Sequence, residues 1–469
     1  MAQPAAPLPN PNADSTSLVR GLSLADSVLL TVGGIIGSGI FLTAGPIASA
    51  VHSPTLFLLV WLVGGGVSLF ACFAFAEMAA MFPEAGGQYI FLREAYGEFP
   101  AFLYGWMIFT VGQSGTIAAL AVGFADYFGT VFSFASAHRP LLHIGRAALT
   151  RGDIVAVLSI AVLTTINVLG VKRGSALINV ATWAKFVAIG CFVLLGLAIG
   201  HGHWSNYSVS LAAQPMSPAQ LISGLGVALI GVFWAFDGWV YVTCVAGEIK
   251  NPQHVLPRAL VLGILLVCAI YLAVNAVYLY ALPITQVAQE ETIAQTAAVV
   301  LFSSSAARWL SATIALSCFG AMSCAILSSA RVSFAMARDR AFFEAMGRLH
   351  QRHRTPAFSL VALSAWSVVL ALSGTFDQLY TYVMFMMVLS YLAAVAGLFV
   401  LRRKRPDLPR PYRCTGYPYL PALYVVIASA WALNSVITRP KETLIGIALV
   451  FIGAPLYFFW QRKRTSAAG

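Results

Sequence analysis

Three stretches of the chain carry residue types that packing alone does not explain in an apolar protein, and each could do polar chemistry. The first is GGIIGSGIF, Gly33 to Phe41, in the middle of the first long apolar segment. Glycine costs roughly 1 kcal/mol relative to alanine inside a helix, so a helix opens there. Opened backbone at membrane depth is tolerated only where it lines a cavity or is buried in protein, so the break reads as a binding site. The second stretch is TWAKFVAIG, where Lys185 sits well inside an apolar run. An intramembrane charge is a functional candidate by default because an unpaired one is expensive; the bland alternatives are snorkelling to the headgroups and plain structural pairing. The third is Phe236-Asp237-Gly238-Trp239, which puts a carboxylate and a glycine in mid-membrane. Two interrupted helices at corresponding positions of two halves point to a transporter site.

The elements that must position these residues are spanning helices. Of the 469 residues 59% are hydrophobic and only 10% are charged, and the mean hydropathy is +0.81, which describes an all-α polytopic membrane protein. Twelve apolar segments are long enough to cross a bilayer, near residues 24–49, 54–82, 99–132, 153–170, 176–200, 219–247, 257–281, 297–330, 357–374, 378–401, 419–437 and 443–461. The formal charge of +11 could suggest nucleic acid, so the placement of the basic residues decides. With the N-terminus inside, 21 of them fall on the inner face, 6 on the outer face, and Lys185 alone in a membrane segment. That bias puts both termini in the cytoplasm and explains the charge as topology. The inner set includes six arginines from Arg331 to Arg354 and six basic residues from Arg402 to Arg413.

Residues 1–20 read as a disordered cytoplasmic tail and 462–469 as a short second one, flanking five-helix repeats at 21–200 and 219–401 and two appended helices at 402–461. The second segment ends at Pro83, Gly86 and Gly87, and the amphipathic piece Gln88 to Tyr96 lies along the inner interface, as a plain interfacial helix or as a gate. The glycines of the third segment, Gly105, Gly112, Gly115 and Gly123, favour close helix packing. The proline-broken basic stretch between the tenth and eleventh segments reads as a loop touching anionic lipid. The seven cysteines show no CxxC and no extracellular pairing pattern.

With GGIIGSGIF, the lysine of TWAKFVAIG, FWAFDGW and GEIKNPQ in this order, the chain resembles the amino acid, polyamine and organocation (APC) transporters. Within that superfamily it is most similar to the L-type amino acid transporter group and its bacterial exchangers, over roughly residues 20 to 461. The resemblance implies a LeuT-like fold of twelve transmembrane helices, with a 5+5 inverted repeat and broken helices one and six. It implies that Gly37, Ser38 and Gly39 offer amide donors to a substrate carboxylate. The carbonyls of Ile35, Trp234, Ala235 and Asp237 would take the ammonium, and Phe236 would close over the substrate as an aromatic gate. Half-helix ends of opposite polarity make a complementary socket for a zwitterion. For Phe236 the plain alternative is one more core aromatic among 30 phenylalanines.

Sodium-coupled relatives of such a fold hold a cation between the fifth helix, the eighth and the broken first. The ammonium of Lys185 would occupy that position, bracing the carbonyls and the Ser38 hydroxyl of the opened helix. Transport would then need no sodium, and a lysine that releases its proton would make the protein a proton symporter instead. Asp237 stands where the animal members have glycine, which leaves it either a proton-titrating group or a polar stabiliser of the helix break. No acid cluster is available to balance a charged side chain, since Glu77 and Glu248 sit near the inner ends, so neutral substrates are favoured. A channel would need a filter loop or rings of charge, and an enzyme a motif such as HExxH or GxSxG; neither occurs. All eight histidines fall in loops or at segment ends, so no metal site and no cofactor are expected. The expected partners are an amino acid substrate and the lipid bilayer of the inner membrane. The loop at residues 133 to 152 contains no cysteine that could bond an accessory subunit, so the protein is expected to work alone.

Overall fold

The computed structural model describes residues 18, 20–135, 140–144, 147–210, 217–290, 292–373, 376–438 and 440–466. Residues 1–17 and 19 of the expected N-terminal tail, the last three residues of the C-terminal tail, and Arg139, Arg146 and Arg439 of the outer basic set lie outside them. Among the described residues nine helices are long and apolar enough to cross a membrane: Leu24–Leu42, Pro54–Met81, Glu98–Val131, Arg151–Val168, Val171–Ile199, Pro252–Ala281, Ser304–Arg338, Val383–Lys404 and Tyr419–Ile437. Three shorter apolar helices, Gln220–Phe236, Ala357–Ala371 and Gly446–Gln461, fall on the remaining segments. Each of the twelve segments read from the sequence therefore holds one of these apolar stretches. They are numbered in chain order as spans one to twelve.

Helix starts are specified locally. Ser23 with Asp26, Thr150 with Asp153 and Ser217 with Gln220 form capping boxes at spans one, four and six. Pro54, Pro218 and Pro252 occupy first turns, where a missing N–H leaves no bond unmade. One departure from an all-helical chain is a short antiparallel hairpin, Pro140–Ile144 with Ala147–Thr150, between spans three and four.

The packing repeats with a period of five spans. Span two packs on seven and three on eight; one on seven is matched by six on two, three on nine by eight on four, and three on ten by eight on five. Five is odd, so a span and its counterpart run through the bundle in opposite directions. In span three Gly105 and Gly115 serve close packing: a Cβ on Gly105 would lie 2.2 Å from the Met336 sulfur, and one on Gly115 2.6 Å from a Val383 methyl. A π-helical turn, Ile108–Gly112, interrupts the same span.

At the end of the bundle that carries most of the basic residues, three expectations change. The helix Gln88–Tyr96 does not float at an interface, because Gln88 through Leu92 and Ala95 are buried. The Gln88 amide donates to the Ser390 carbonyl at 2.7 Å and Arg93 pairs with Asp339 at 2.6 Å, so the helix is wedged between spans eight and ten. The basic stretch after span ten is pinned to protein: Glu77, fully buried, faces Arg402 and Arg410 and accepts the Cys414 amide at 2.7 Å. Arg331, counted with the inner basic residues, does not face water. It is completely buried within span eight and forms a two-pronged pair with Glu248 at 3.1 and 2.9 Å.

The Glu248 carbonyl also accepts the Gly21 and Leu22 amides at 2.8 and 2.9 Å, tying the entry to span one onto the exit from span six. Removing one partner of a buried ion pair leaves an uncompensated charge, at a cost of about 3–5 kcal/mol. Arg331→Met should therefore lower the melting temperature of detergent-purified protein by several degrees, and Arg331→Met with Glu248→Gln should recover part of that loss. An unchanged melting curve for the single variant would show that the pair contributes no stability.

Candidate functional site

Span one is helical from Leu24 to Ile35, breaks at Ile36 to Ser38, and resumes over Gly39–Leu42. The Gly37 amide turns back onto the Ile35 carbonyl at 2.8 Å, closing a three-residue turn. Span six is helical to Phe236, extended at Asp237, and helical again over Tyr241–Cys244. Gly238 makes this second break possible, with φ of +101°, a region that L side chains avoid.

The two breaks touch backbone to backbone. A Cβ on Gly39 would sit 2.4 Å from the Ala235 Cα, and one on Gly238 would sit 2.6 Å from the Gly34 carbonyl oxygen. Between the breaks lies a small cavity of about 20 Å³. Ile35, Gly37, Ser38 and Gly39 line it from one side and Trp234 and Asp237 from the other, with Thr116 and Leu120 of span three closing it. That is room for little more than one water molecule, which needs about 10–15 Å³, so in this conformation the site is contracted.

The polar groups at the cavity are of both kinds. The Ser38 hydroxyl is buried and has no hydrogen-bond partner. The amides of Ser38 and Gly39 head the resumed helix, where no intrahelical acceptor exists. The Gly37 amide was expected to be a third donor, but in this conformation the turn onto Ile35 uses it. On the acceptor side, the Ala235 carbonyl receives the Tyr271 hydroxyl at 2.8 Å, and the Ile35 carbonyl receives the same hydroxyl at 3.2 Å. The Trp234 carbonyl receives the Asp237 amide at 3.1 Å. The Asp237 carboxylate receives the Tyr391 hydroxyl of span ten at 2.5 Å and also borders a second cavity, of about 20 Å³, on the side of Tyr424 and Trp239.

Phe236 does not line the cavity between the breaks. Its ring lies against Trp61 and Tyr271, with centroids 6.4 and 5.0 Å away, while the neighbouring Trp234 does reach the cavity.

Lys185 does not snorkel. It is 1% exposed, and its ammonium donates to the Gly33 carbonyl at 3.0 Å and the Ile36 carbonyl at 2.5 Å. It makes no bond to the Ser38 hydroxyl. The second brace on the break comes from span eight: the Ser317 hydroxyl contacts the Ile36 and Gly37 carbonyls at 2.9 and 3.1 Å. The opened carbonyls of span one are thus held by a cation from span five and a hydroxyl from span eight. Sequence reasoning missed Ser317, Tyr271 and Tyr391. One serine among many and two of 17 tyrosines carry no local signal. Among the described residues no group of three or more His, Cys, Asp or Glu side chains could hold a metal ion.

Comparison with known proteins agrees with this architecture. The chain is 29% identical over 459 residues to the serine/threonine exchanger SteT of Bacillus subtilis (strain 168), covering 97% of this chain and 100% of that protein. It is 27% identical over 448 residues to the human b(0,+)-type amino acid transporter 1, covering 95% and 88% of the two chains. To the human cystine/glutamate transporter it is 26% identical over 461 residues, covering 97% and 88%. The sequence pattern that defines the amino acid permeases matches residues 22–455. A polytopic bundle with two broken helices meeting at a small polar cavity, matched by that pattern over most of its length, belongs to the amino acid permease family.

Proposed function

We propose that the protein exchanges small neutral L-amino acids across the cytoplasmic membrane by alternating access, without sodium. The observation that carries this reading is the cavity itself: an unpartnered Ser38 hydroxyl and the leading amides of one half-helix face the carbonyls that end two others. That arrangement complements a carboxylate and an ammonium at once. Asp237 is the one carboxylate bordering the cavity, and Tyr391 already binds it, which favours uncharged side chains. Exchange is the mode named for SteT. Independence from sodium rests on Lys185, whose ammonium makes the bonds to opened carbonyls that a metal cation would otherwise make. The same group favours one second reading, proton symport, in which Lys185 releases its proton during the cycle.

In this account residues 21–200 and 219–401 form the two repeats, 402–461 are appended, and both termini lie in the cytoplasm. The protein acts as a transporter and not an enzyme, and it needs no accessory subunit. A thermal-shift panel of the twenty amino acids on purified protein tests the reading. Small neutral L-amino acids, L-serine among them, should raise the melting temperature, while arginine, lysine, aspartate and glutamate should not. A panel in which no amino acid shifts the melt would overturn the proposal.

A further inference from the structure

Span seven passes behind both breaks, and Tyr271 is the residue it presents there. The side chain is fully buried. Its ring makes edge contacts with Trp61 and Phe236, with centroids 5.5 and 5.0 Å away, so the hydroxyl has a fixed aim. That hydroxyl reaches Ala235 O at 2.8 Å and Ile35 O at 3.2 Å. Ile35 is the last residue of the first half of span one, and Ala235 is next to last in the first half of span six. One proton is therefore shared between the two half-helices, at carbonyls whose helical partners the breaks have removed. Ile35 O is also taken by the Gly37 amide. A phenol carries one proton, so the shorter contact, to Ala235 O, takes most of it and the contact to Ile35 O is the weaker branch of a shared bond.

We propose that Tyr271 is a positioning residue that competes with the substrate ammonium for the Ile35 and Ala235 carbonyls, and that this competition enforces exchange. The inference rests on the reading of those carbonyls as ammonium acceptors. Without an amino acid the hydroxyl clamps the broken spans together. An arriving ammonium, a stronger donor because it is charged, takes the carbonyls and frees the two spans to move. The loaded carrier crosses; the carrier without cargo is held. The step is a transfer of hydrogen bonds only, and no covalent bond forms or breaks.

Tyr271→Phe keeps the ring and its contacts with Trp61 and Phe236 and removes only the hydroxyl. Since the ammonium then displaces nothing, the dissociation constant for L-serine, measured by calorimetry, should fall by about 3- to 10-fold, the worth of one hydrogen bond. Vesicles loaded with labelled L-serine and diluted into medium with or without L-serine should show a several-fold higher ratio of net efflux to exchange than wild type. A purely structural tyrosine would lower both fluxes together. Genetic incorporation of 3-fluorotyrosine at position 271 supplies a stronger donor of nearly the same shape, and it should shift the dissociation constant the other way. It also keeps the test decisive if Tyr271→Phe does not fold. Affinity unchanged or weakened in Tyr271→Phe, or tightened with 3-fluorotyrosine, would overturn the clamp. Failure of wild-type protein to bind any amino acid would overturn the ammonium acceptors and the clamp with them.

Discussion

Replacing Lys185 with alanine should slow amino acid exchange by about 100-fold or more. In an unbroken helix the Gly33 carbonyl would be bonded by the Gly37 amide, but that amide has turned to Ile35, so Lys185 supplies the bond that Gly33 O receives. The Ile36 carbonyl would keep Ser317 and lose the cation. A hydrogen bond to a charged group contributes about 1.5–3 kcal/mol, and two such bonds lost from dry, non-helical backbone amount to at least a hundredfold change in an equilibrium. The break would then sample conformations in which the Ser38 and Gly39 amides no longer converge on the cavity. Lys185→Met, which keeps most of the stem, should be nearly as slow, because the charge and not the packing is what acts. Initial rates in vesicles, normalised to reconstituted protein, measure this. Full activity in Lys185→Ala would remove the built-in cation from the account.

The second large effect is expected at Gly39. Its missing side chain is what lets spans one and six meet, since an added Cβ would lie 2.4 Å from the Ala235 Cα and 3.1 Å from the Ala235 amide nitrogen. Carbon atoms pack at about 3.5–4.0 Å, and the nearest obstacles include backbone that no rotamer change can clear. Gly39→Ala must push the half-helices apart by more than an ångström, enough to misalign donors and acceptors that need hydrogen-bond distances. Binding of L-serine by calorimetry should become undetectable. The fold should persist, since alanine favours the resumed helix by roughly 1 kcal/mol over glycine. Gly66→Ala is the control, because nothing lies within 4 Å of the added carbon, and its binding should match wild type. Unchanged affinity in Gly39→Ala would rule out the cavity as the substrate site.

Much of this architecture was legible in the residues. Apolar length located the twelve spans, and the clustering of Gly33, Gly34, Gly37 and Gly39, echoed by Asp237-Gly238, located both breaks. Lys185 was conspicuous because a charge in an apolar run is rare. The second brace on the break was less legible: it is the hydroxyl of Ser317, which lies far along the chain from Ser38 and depends on how span eight docks. Apolar periodicity cannot settle that docking, because in lipid both faces of a helix are apolar. In span five, Val180 and Trp183 are 67% and 59% exposed, yet Lys185 is buried. The same reason hides the pairing of Glu77 with Arg402, 325 residues apart, and of Arg331 with Glu248. Charge counting assigned both arginines to the inner face, since it registers topology and not contacts. The aim of the Gly37 amide is a matter of one dihedral pair, which composition does not encode.

The central claim is an amino acid exchanger whose coupling cation is its own lysine. Uptake of labelled L-serine into reconstituted vesicles tests it most directly, with internal L-serine, sodium and a pH gradient each present or absent. The account predicts rapid uptake only when the vesicles are loaded with amino acid, with the same rate in sodium and potassium and no drive from external acid. A strict sodium requirement, or accumulation by empty vesicles under an inward proton gradient, would contradict it.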